Sequence, residues 1–369
     1  MPPISFISRF ILFLSLSWAL GVSVAPIGGD AWAFRESFTP EQREHLSKVK
    51  SVLVEVIAIT DKGPADTGPF MELAKSGLEG LGFTVVTDPS KPHDVVFKVK
   101  CEQRKTWEGT TTMGSDADLP DSPSRVWKGP ACQLNYLIGS TKIKWQKEVR
   151  TDFEDAVQAA QAANAADAGA YAMGKLRDKL AQYDFPVLLA AEWGQADRLI
   201  KVLDTPGTSQ LRQLKVIALL GEMMNDEALP RLKEALQDKD LAKQALVAMG
   251  NIGKDSIPIL IDILKYSKQP ELQAAAAKGM GQVGALHGDP SIIPPLLEML
   301  DAPGIDITVQ TEIAWALGKL PDKRSVEPLF ALNRKLQKIR TDPPDPKMKK
   351  LKEAVFWSMK QVYTEDHTS

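Results

Sequence analysis

Two periodicities of hydrophobic residues divide the chain. From residue 48 to about residue 183, strand-like runs alternate with helix-like runs, and several of the strand-like runs have apolar residues at every second position. The run SVLVEVIAI is typical of a buried strand, and alternating runs near 95–101, 132–138 and 143–149 predict three more strands. FMELAKSGLEGLGF has helical spacing, and we predict one further helix over the alanine-rich segment 153–183. The pattern therefore predicts a small α/β or α+β domain over 48–183, with a mainly antiparallel sheet.

The phases of two predicted strands indicate which residues face each other. An antiparallel register that places Cys101 opposite Cys132 also places Val99 opposite Leu134, so these side chains share one face. We therefore predict a three-strand meander with a Cys101–Cys132 disulfide. Two separate buried thiols are the alternative.

A long polar segment, 107–127, separates the first two strands of this meander. Segments of this length without regular structure are either functional or disordered. Trp107 and Trp127 flank it, either as a gate to a site or as caps on the end of the sheet core.

A different pattern recurs four times in the second part of the chain. A helix-like apolar run reaches a glycine, an aspartate follows, and a proline then stands early in the next apolar run. The glycines are 29, 31 and 37 residues apart, the spacing of helical repeats. We predict that each glycine ends a helix, each aspartate caps the next helix, and each proline lies in or just past its first turn. The residues concerned are Gly221, Gly250, Gly281 and Gly318; Asp226, Asp255, Asp289 and Asp322; and Pro230, Pro258, Pro294 and Pro328.

These segments resemble short bacterial HEAT repeats, of the type also found in phycobilisome-lyase proteins. The resemblance is carried by ALPRL, SIPIL, IIPPLL and VEPLF, each followed by a second helix with a small residue, Leu or Met, then Gly. It covers residues 195–362 and implies an all-α solenoid of about five helix pairs. It also implies scaffolding and protein binding, although a few such proteins bind chromophores. Many such repeats carry an arginine early in the second helix, which contributes to a row of ion pairs called an ionic ladder. At the matching ladder positions this chain has Gln213, Ala242, Gln273 and Gln310, so a row of glutamine hydrogen bonds is the alternative.

The resemblance further implies that the second helices line a concave, partner-binding face. Three residues before each glycine stand Ala218, Val247, Lys278 and Trp315, and Trp357 continues the series. Since Trp is enriched in binding hot spots, we predict that Trp315, Trp357 and Lys278 form an apolar partner-binding patch. The alternatives are that the insertion RKLQKIRTDPPDPKMKK covers the tryptophans, or that the helical phase differs by one residue.

Charge and composition exclude several classes of function. The 45 Lys and Arg nearly balance the 47 Asp and Glu, so no nucleic-acid footprint is present. The basic segment 334–352 is either a peripheral contact for an anionic surface or a solvated helix surface. The four histidines are scattered, and no haem, zinc, phosphate-loop or nucleophile-elbow motif occurs. We therefore expect no cofactor and no catalysis.

The first 33 residues are typical of a signal peptide. Arg9 precedes about 16 apolar residues, short for a membrane span of roughly 20, and small residues precede a cleavage position after Ala33 or alternatively Ala25. An uncleaved anchor is the alternative. Together these features predict an exported, periplasmic or secreted, non-catalytic adaptor or scaffold that binds another protein of the cell envelope. The alternative function is a lyase-like enzyme or small-ligand carrier that uses the gap between the two domains.

Overall fold

The computed structural model describes residues 38–110, 124–339 and 345–366. The predicted signal peptide and residues 111–123 lie outside the described residues. The first part of the chain contains, in order, α1 (Pro40–Ser47), β1 (Ser51–Thr60), β2 (Gly63–Pro64), α2 (Gly68–Glu79), β3 (Thr84–Val86), β4 (Val95–Thr110), β5 (Ser124–Ile138), β6 (Thr141–Arg150), α3 (Ala156–Ala162) and α4 (Ala168–Tyr183). The second part contains α5 (Phe185–Glu192), α6 (Ala196–Asp204), α7 (Gln210–Glu222), α8 (Leu229–Ala235), α9 (Ala242–Ile252), α10 (Ile257–Tyr266), α11 (Pro270–His287), α12 (Ile293–Leu300), α13 (Ile307–Lys319), α14 (Val326–Gln337) and α15 (Pro346–Asp366).

The six strands form one mixed sheet in the order β2-β1-β4-β5-β6, with β3 also pairing with β1. Strand β1 runs parallel to β3 and β4 because α2 returns the chain to the same end of the sheet. Strands β4, β5 and β6 form the predicted antiparallel meander. The predicted register is also present: Cys101 pairs with Cys132 and Val99 with Leu134, and the two sulfur atoms are 2.04 Å apart.

The sheet buries mainly one face, although Leu53 and Ala131 on the other face are also buried. Alternate residues of the strands, such as Val54, Phe97 and Leu134, are buried beneath α2, α4 and α5. Much of the opposite face is open: Ile57 is 49% exposed, and Glu55 pairs there with Lys98 at 2.8 Å. This one-sided arrangement, followed by a run of helices, confirms the predicted fold class of a small sheet domain and an all-α solenoid.

Two predictions for the first part need revision. Segment 107–127 is not all loop, because β4 and β5 continue as a ladder in which Trp107 lies opposite Trp127 along the backbone. The alanine-rich segment is two helices rather than one. Asn164 adopts φ 55° between them, and the second helix starts afresh at the Asp167 cap.

Asp94 fixes the start of the sheet. One of its carboxylate oxygens accepts hydrogen bonds from the backbone N–H groups of Lys50 (2.8 Å) and Ser51 (2.7 Å) and from the Ser51 hydroxyl (2.9 Å). Burial acts to raise the pKa of Asp94, but these hydrogen bonds outweigh it and hold the pKa below its usual value. Asp94 thus has a structural role at the junction of β1 and β4.

We expect Asp94→Ala to lower the free energy of unfolding by about 2 kcal/mol at pH 7, because three donors lose a charged acceptor. Since folding lowers the pKa of this carboxyl, its contribution is present above the unfolded pKa of about 3.9 and is lost as the pH falls through the folded pKa. Urea unfolding of both proteins at several pH values measures the difference. The control is Asp255→Ala, at an exposed carboxylate, which is expected to change stability by less than about 0.5 kcal/mol. A difference that is unchanged at pH 3 would contradict this assignment.

The second part is a stack of five helix pairs, α6/α7 to α14/α15. The second helices of successive pairs pack extensively on one another, in the row α7-α9-α11-α13-α15, whereas the first helices touch their neighbours less. The more closely spaced row lies on the inner side of any curvature of such a stack. In a stack that curves, the second helices are therefore expected on the concave side.

The recurrent glycines do not end their helices, so that prediction is wrong. Gly221, Gly250 and Gly318 lie in the last turns of α7, α9 and α13 and Gly281 lies further inside α11, and none of them has the positive φ of a helix-ending cap. A Cβ on Gly250 would lie 2.5 Å from the Gly279 Cα and closer still to its carbonyl oxygen. The Cα of Ala248 would be 2.7 Å from a Cβ on Gly221. The glycines therefore let the backbones of successive second helices touch.

The other predicted repeat residues are confirmed in part. The side chains of Asp289 and Asp322 cap short 3₁₀ turns before α12 and α14, but Asn225 and Gly253 stand at the other two cap positions. Asp226 and Asp255 are thus wrong as caps, since the turn begins one or two residues earlier than expected. All four prolines lie in the first turn of a first helix, where a missing backbone donor costs least.

Helix α5 joins the sheet to the solenoid. Phe185 stacks on Phe97 of β4 with ring centroids 5.0 Å apart, and the buried Trp193 lies edge-on to Phe83 and Tyr136. The hydrophobic core therefore continues across the boundary predicted near residues 185–195. The division into domains 48–183 and 195–362 stays a prediction.

Polar side chains of the first helix pair bind the same junction. The buried Gln195 amide donates to the carbonyls of Leu46 (2.8 Å) and Val49 (3.0 Å). The Arg198 guanidinium donates to the Leu81 carbonyl at 2.7 Å and lies 3.8 Å from the centroid of the Phe83 ring. These contacts fix the first repeat against the sheet.

Candidate partner-binding site

The three predicted patch residues stand on consecutive second helices. Lys278 is on α11, Trp315 on α13 and Trp357 on α15. The two indole rings are in contact, with centroids 5.0 Å apart and planes tilted by 50°. Both are half-buried, so part of each ring is accessible, and Lys278 is exposed.

The tryptophan pair is also part of the helix packing. A Cβ on Gly318 would lie 2.5 Å from the Trp357 ring, which shows how closely α15 lies on α13. The Ser358 hydroxyl donates to the Ala314 carbonyl at 2.6 Å and ties the same two helices together. The rings are therefore held by a rigid pair of helices rather than by a loop.

Two charged residues beside the tryptophans were missed from the sequence. Glu312 and Lys319 stand one turn before and one turn after Trp315 on the same stripe of α13. Burial raises the pKa of the Glu312 carboxyl despite opposing effects of Lys278, Lys319 and Lys350. Burial also lowers the pKa of Lys319, whose Nζ donates to Gln282 at 3.2 Å. Glu312 lies three residues before Trp315 and Lys319 lies four residues after it, and this helical spacing is the sequence signal that identifies both.

We call the set Lys278, Glu312, Trp315, Lys319 and Trp357 the concave patch. Its centre is aromatic, and its border is charged and predominantly cationic. An accessible aromatic centre with a polar border is the composition of a protein-binding surface.

The glutamines at the predicted ladder positions do not form a ladder with one another. The side-chain amides of Gln273 and Gln310 donate to the carbonyls of Leu264 (3.0 Å) and Leu300 (2.8 Å), near the ends of the preceding first helices. Each therefore satisfies an otherwise unpaired helix-end carbonyl within its own repeat.

The basic segment 334–352 is partly engaged within the chain. Arg334 pairs with Glu327 at 2.6 Å, and Lys335 pairs with Asp301 at 2.7 Å. These pairings favour a solvated helix surface over a dedicated anion-binding site. Residues 340–344 of the segment lie outside the described residues.

The gap between sheet and solenoid contains an open cleft of about 340 Å³ beside the N-terminus of α7. Its cations are Arg212, which pairs with Asp184 at 2.8 Å, and Lys215, which donates to the Tyr183 carbonyl. Both cationic side chains of the cleft already have partners within the chain.

The described residues contain no group of three or more His, Cys, Asp and Glu side chains placed to hold a metal ion. Over the same residues, no helix combines the length and apolar character needed to cross a membrane.

Comparison with known families identifies the second part of the chain. The family model for HEAT repeats matches residues 196–280 and, in an overlapping copy, residues 257–341. The matches begin with α6 and extend through α14, so helices α6 to α14 are similar to HEAT repeats, whereas α15 lies outside the matched residues. No curated protein matches the chain significantly.

Proposed function

We propose that this chain is a non-catalytic protein-binding scaffold whose partner docks on the concave patch. HEAT repeats are consistent with a scaffold for protein interactions. The observation that carries the proposal is the contact between Trp315 and Trp357, which stay partly accessible on consecutive second helices. Tryptophan is the residue type most enriched in the hot spots of protein interfaces.

The packing around the patch supports this function. Because α11, α13 and α15 approach closely at glycine positions, the patch is held in one arrangement before a partner arrives. A preorganised surface spends less of its binding free energy on ordering side chains. The charged border formed by Lys278, Glu312 and Lys319 would orient a partner that carries complementary, predominantly acidic groups.

We further propose that the scaffold acts outside the cytoplasm, after cleavage behind Ala33 or Ala25. The support is the N-terminal pattern of charge, apolar run and small residues, which lies outside the described residues. The placement of Cys101 and Cys132 at disulfide distance fits an oxidising compartment. The partner would then be a protein of the cell envelope.

The concave patch is tested by affinity capture from envelope extract with wild-type protein and two variants. We expect Trp315→Ser/Trp357→Ser to lose at least about 2 kcal/mol of partner affinity, roughly a 30-fold increase in Kd. Because these rings are half-buried, Lys278→Glu is the second variant, since it alters the charged border at an exposed position without removing packing.

The matched control is Tyr266→Ser, at an exposed aromatic residue on the first helix α10. A protein retained by wild type and by the Tyr266 variant, but lost by both patch variants, supports docking at the patch. If the same protein binds all variants equally while circular dichroism shows them folded, the patch is not the docking site. A small molecule that co-purifies in its place would support the carrier function.

A further inference from the structure

The last helix that the structure describes, α15, has one buried face and, opposite it, one exposed face. Toward α13 it presents buried residues such as Ala354, Val355 and Ser358. The opposite face carries two exposed aromatic residues: Phe356 is 56% exposed and Tyr363 is 53% exposed. The Lys360 Nζ lies 4.7 Å from the centroid of the Phe356 ring.

This exposed face occupies the position at which the solenoid would continue. Lys360 stands where the preceding second helix has Gly318, and Phe356 stands where that helix has Ala314. In α13 those two residues contact the next second helix. The outer face of α15 therefore corresponds to the surface on which, in α7 to α13, another helix lies, but Phe356 and Lys360 would hold a neighbouring helix farther away than the glycine contacts do.

The residues on this face follow the spacing of a helix-pairing seam. They recur at intervals of four, three, four and three, as the a and d positions of a coiled coil do. We call this set the α15 seam: Lys349, Glu353, Phe356, Lys360 and Tyr363.

The charges of the α15 seam are complementary to a second copy of the same seam run antiparallel. With a two-fold axis near Phe356, Glu353 of each copy lies beside Lys360 of the other, and the Phe356 rings meet between the two charge pairs. A parallel pairing would instead set Glu353 against Glu353 and Lys360 against Lys360. Within one chain, Glu353 pairs with Lys349 at 3.9 Å. Because both side chains are largely exposed, this pair is too weak to keep Glu353 from pairing with Lys360 of the other copy.

We propose that α15 docks antiparallel against α15 of a second copy of this chain, forming a two-fold symmetric homodimer. This interface is isologous, since each seam contributes the same residues to it. It lies on the outer face of α15 and does not depend on the proposed function of the concave patch. One pair of helices buries less than about 1,200 Å² in total, so the dimer belongs to the weak, concentration-dependent class.

Sedimentation velocity of the full chain over a concentration series tests the dimer. We expect wild type to pass from monomer to dimer, and Glu353→Lys and Lys360→Glu each to weaken association at least about 10-fold, because each sets like charges together twice. An equimolar mixture of the two variants is expected to associate within about 3-fold of wild type, because both charge pairs are restored in the mixed dimer, one with its original sign and one inverted.

The matched control is Lys233→Glu, the same charge change at an exposed position on α8, which is expected to leave association unchanged. Phe356→Ser is expected to weaken association as strongly as either charge reversal. The proposal is overturned if wild type stays monomeric up to about 1 mM, if the single variants associate as wild type does, or if mixing them restores nothing.

Discussion

Replacing Gly250 by alanine is expected to lower the free energy of unfolding by about 3 kcal/mol, although it adds only one methyl group. The new Cβ would lie 2.5 Å from the Gly279 Cα, and the carbonyl oxygen of Gly279 would be closer still. Both atoms belong to the backbone of α11, so a rotamer change cannot relieve the overlap and the two helices must separate. Urea or thermal unfolding measures the loss.

The control is Gly174→Ala, because Gly174 lies inside α4 and a Cβ there meets no atom within 4 Å. Alanine is the better helix former, so this variant is expected to gain about 0.5–1 kcal/mol. A graded series extends the comparison: Gly281→Ala, whose Cβ would lie 3.0 Å from the Ala316 Cα, is expected to cost less than Gly250→Ala. Equal effects at Gly250 and Gly174 would show that intrinsic helix propensity, not contact between helices, governs these positions.

The second large effect is expected at the paired cysteines. Cys101 and Cys132 are 31 residues apart in sequence, and closing a loop of that length stabilises the fold by between about 3 and 4 kcal/mol in the chain-entropy model. We expect the wild type to lose that amount on addition of reductant, and the Cys101→Ala/Cys132→Ala variant to be insensitive to reductant. Unfolding curves with and without reductant measure both effects.

The bond itself is tested by mass after alkylation of the native protein, before and after reduction. No alkylation before reduction and two adducts after it are expected. Two adducts on protein that was unfolded without reductant would establish two separate buried thiols instead. The alanine variant separates the effect of the bond from other effects of the reductant.

Much of the sheet could be predicted because strand alternation has a period of two. Once Cys101, Val99 and Leu134 are assigned to one face, shifting β5 by one residue would turn Leu134 and the other apolar residues of β5 to the opposite face, so the pairing follows from the pattern alone. The parallel pairing of β1 with β4 could not be obtained this way, because it depends on where α2 returns the chain. Similarly, no local pattern marks Trp193 or Arg198 as the residues that join the sheet to the solenoid.

The spacing of the recurrent glycines correctly predicted helical repeats, but the role predicted for these glycines was wrong. Glycine near a helix end followed by a polar residue fits both a C-terminal cap and a contact between helices. The sequence GMGQVG held the distinguishing signal, since Gly279, Gly281 and Gly284 are too many helix stops within six residues. For the candidate site, the helical phase placed Trp315 and Trp357 together correctly, but attention to the aromatic residues alone left out Glu312 and Lys319.

The glycine contacts also have a mechanical consequence. Where α9 meets α11, backbone touches backbone at Gly250 and Gly279, whereas the first helices of neighbouring repeats pack less extensively. The row of second helices therefore resists bending more than the row of first helices does. Bending the stack would change the spacing of the first helices, while the spacing of the second helices hardly changes. For the proposed scaffold function, this means that the stack could adjust its overall curvature to a large partner while Trp315 and Trp357 keep a constant separation.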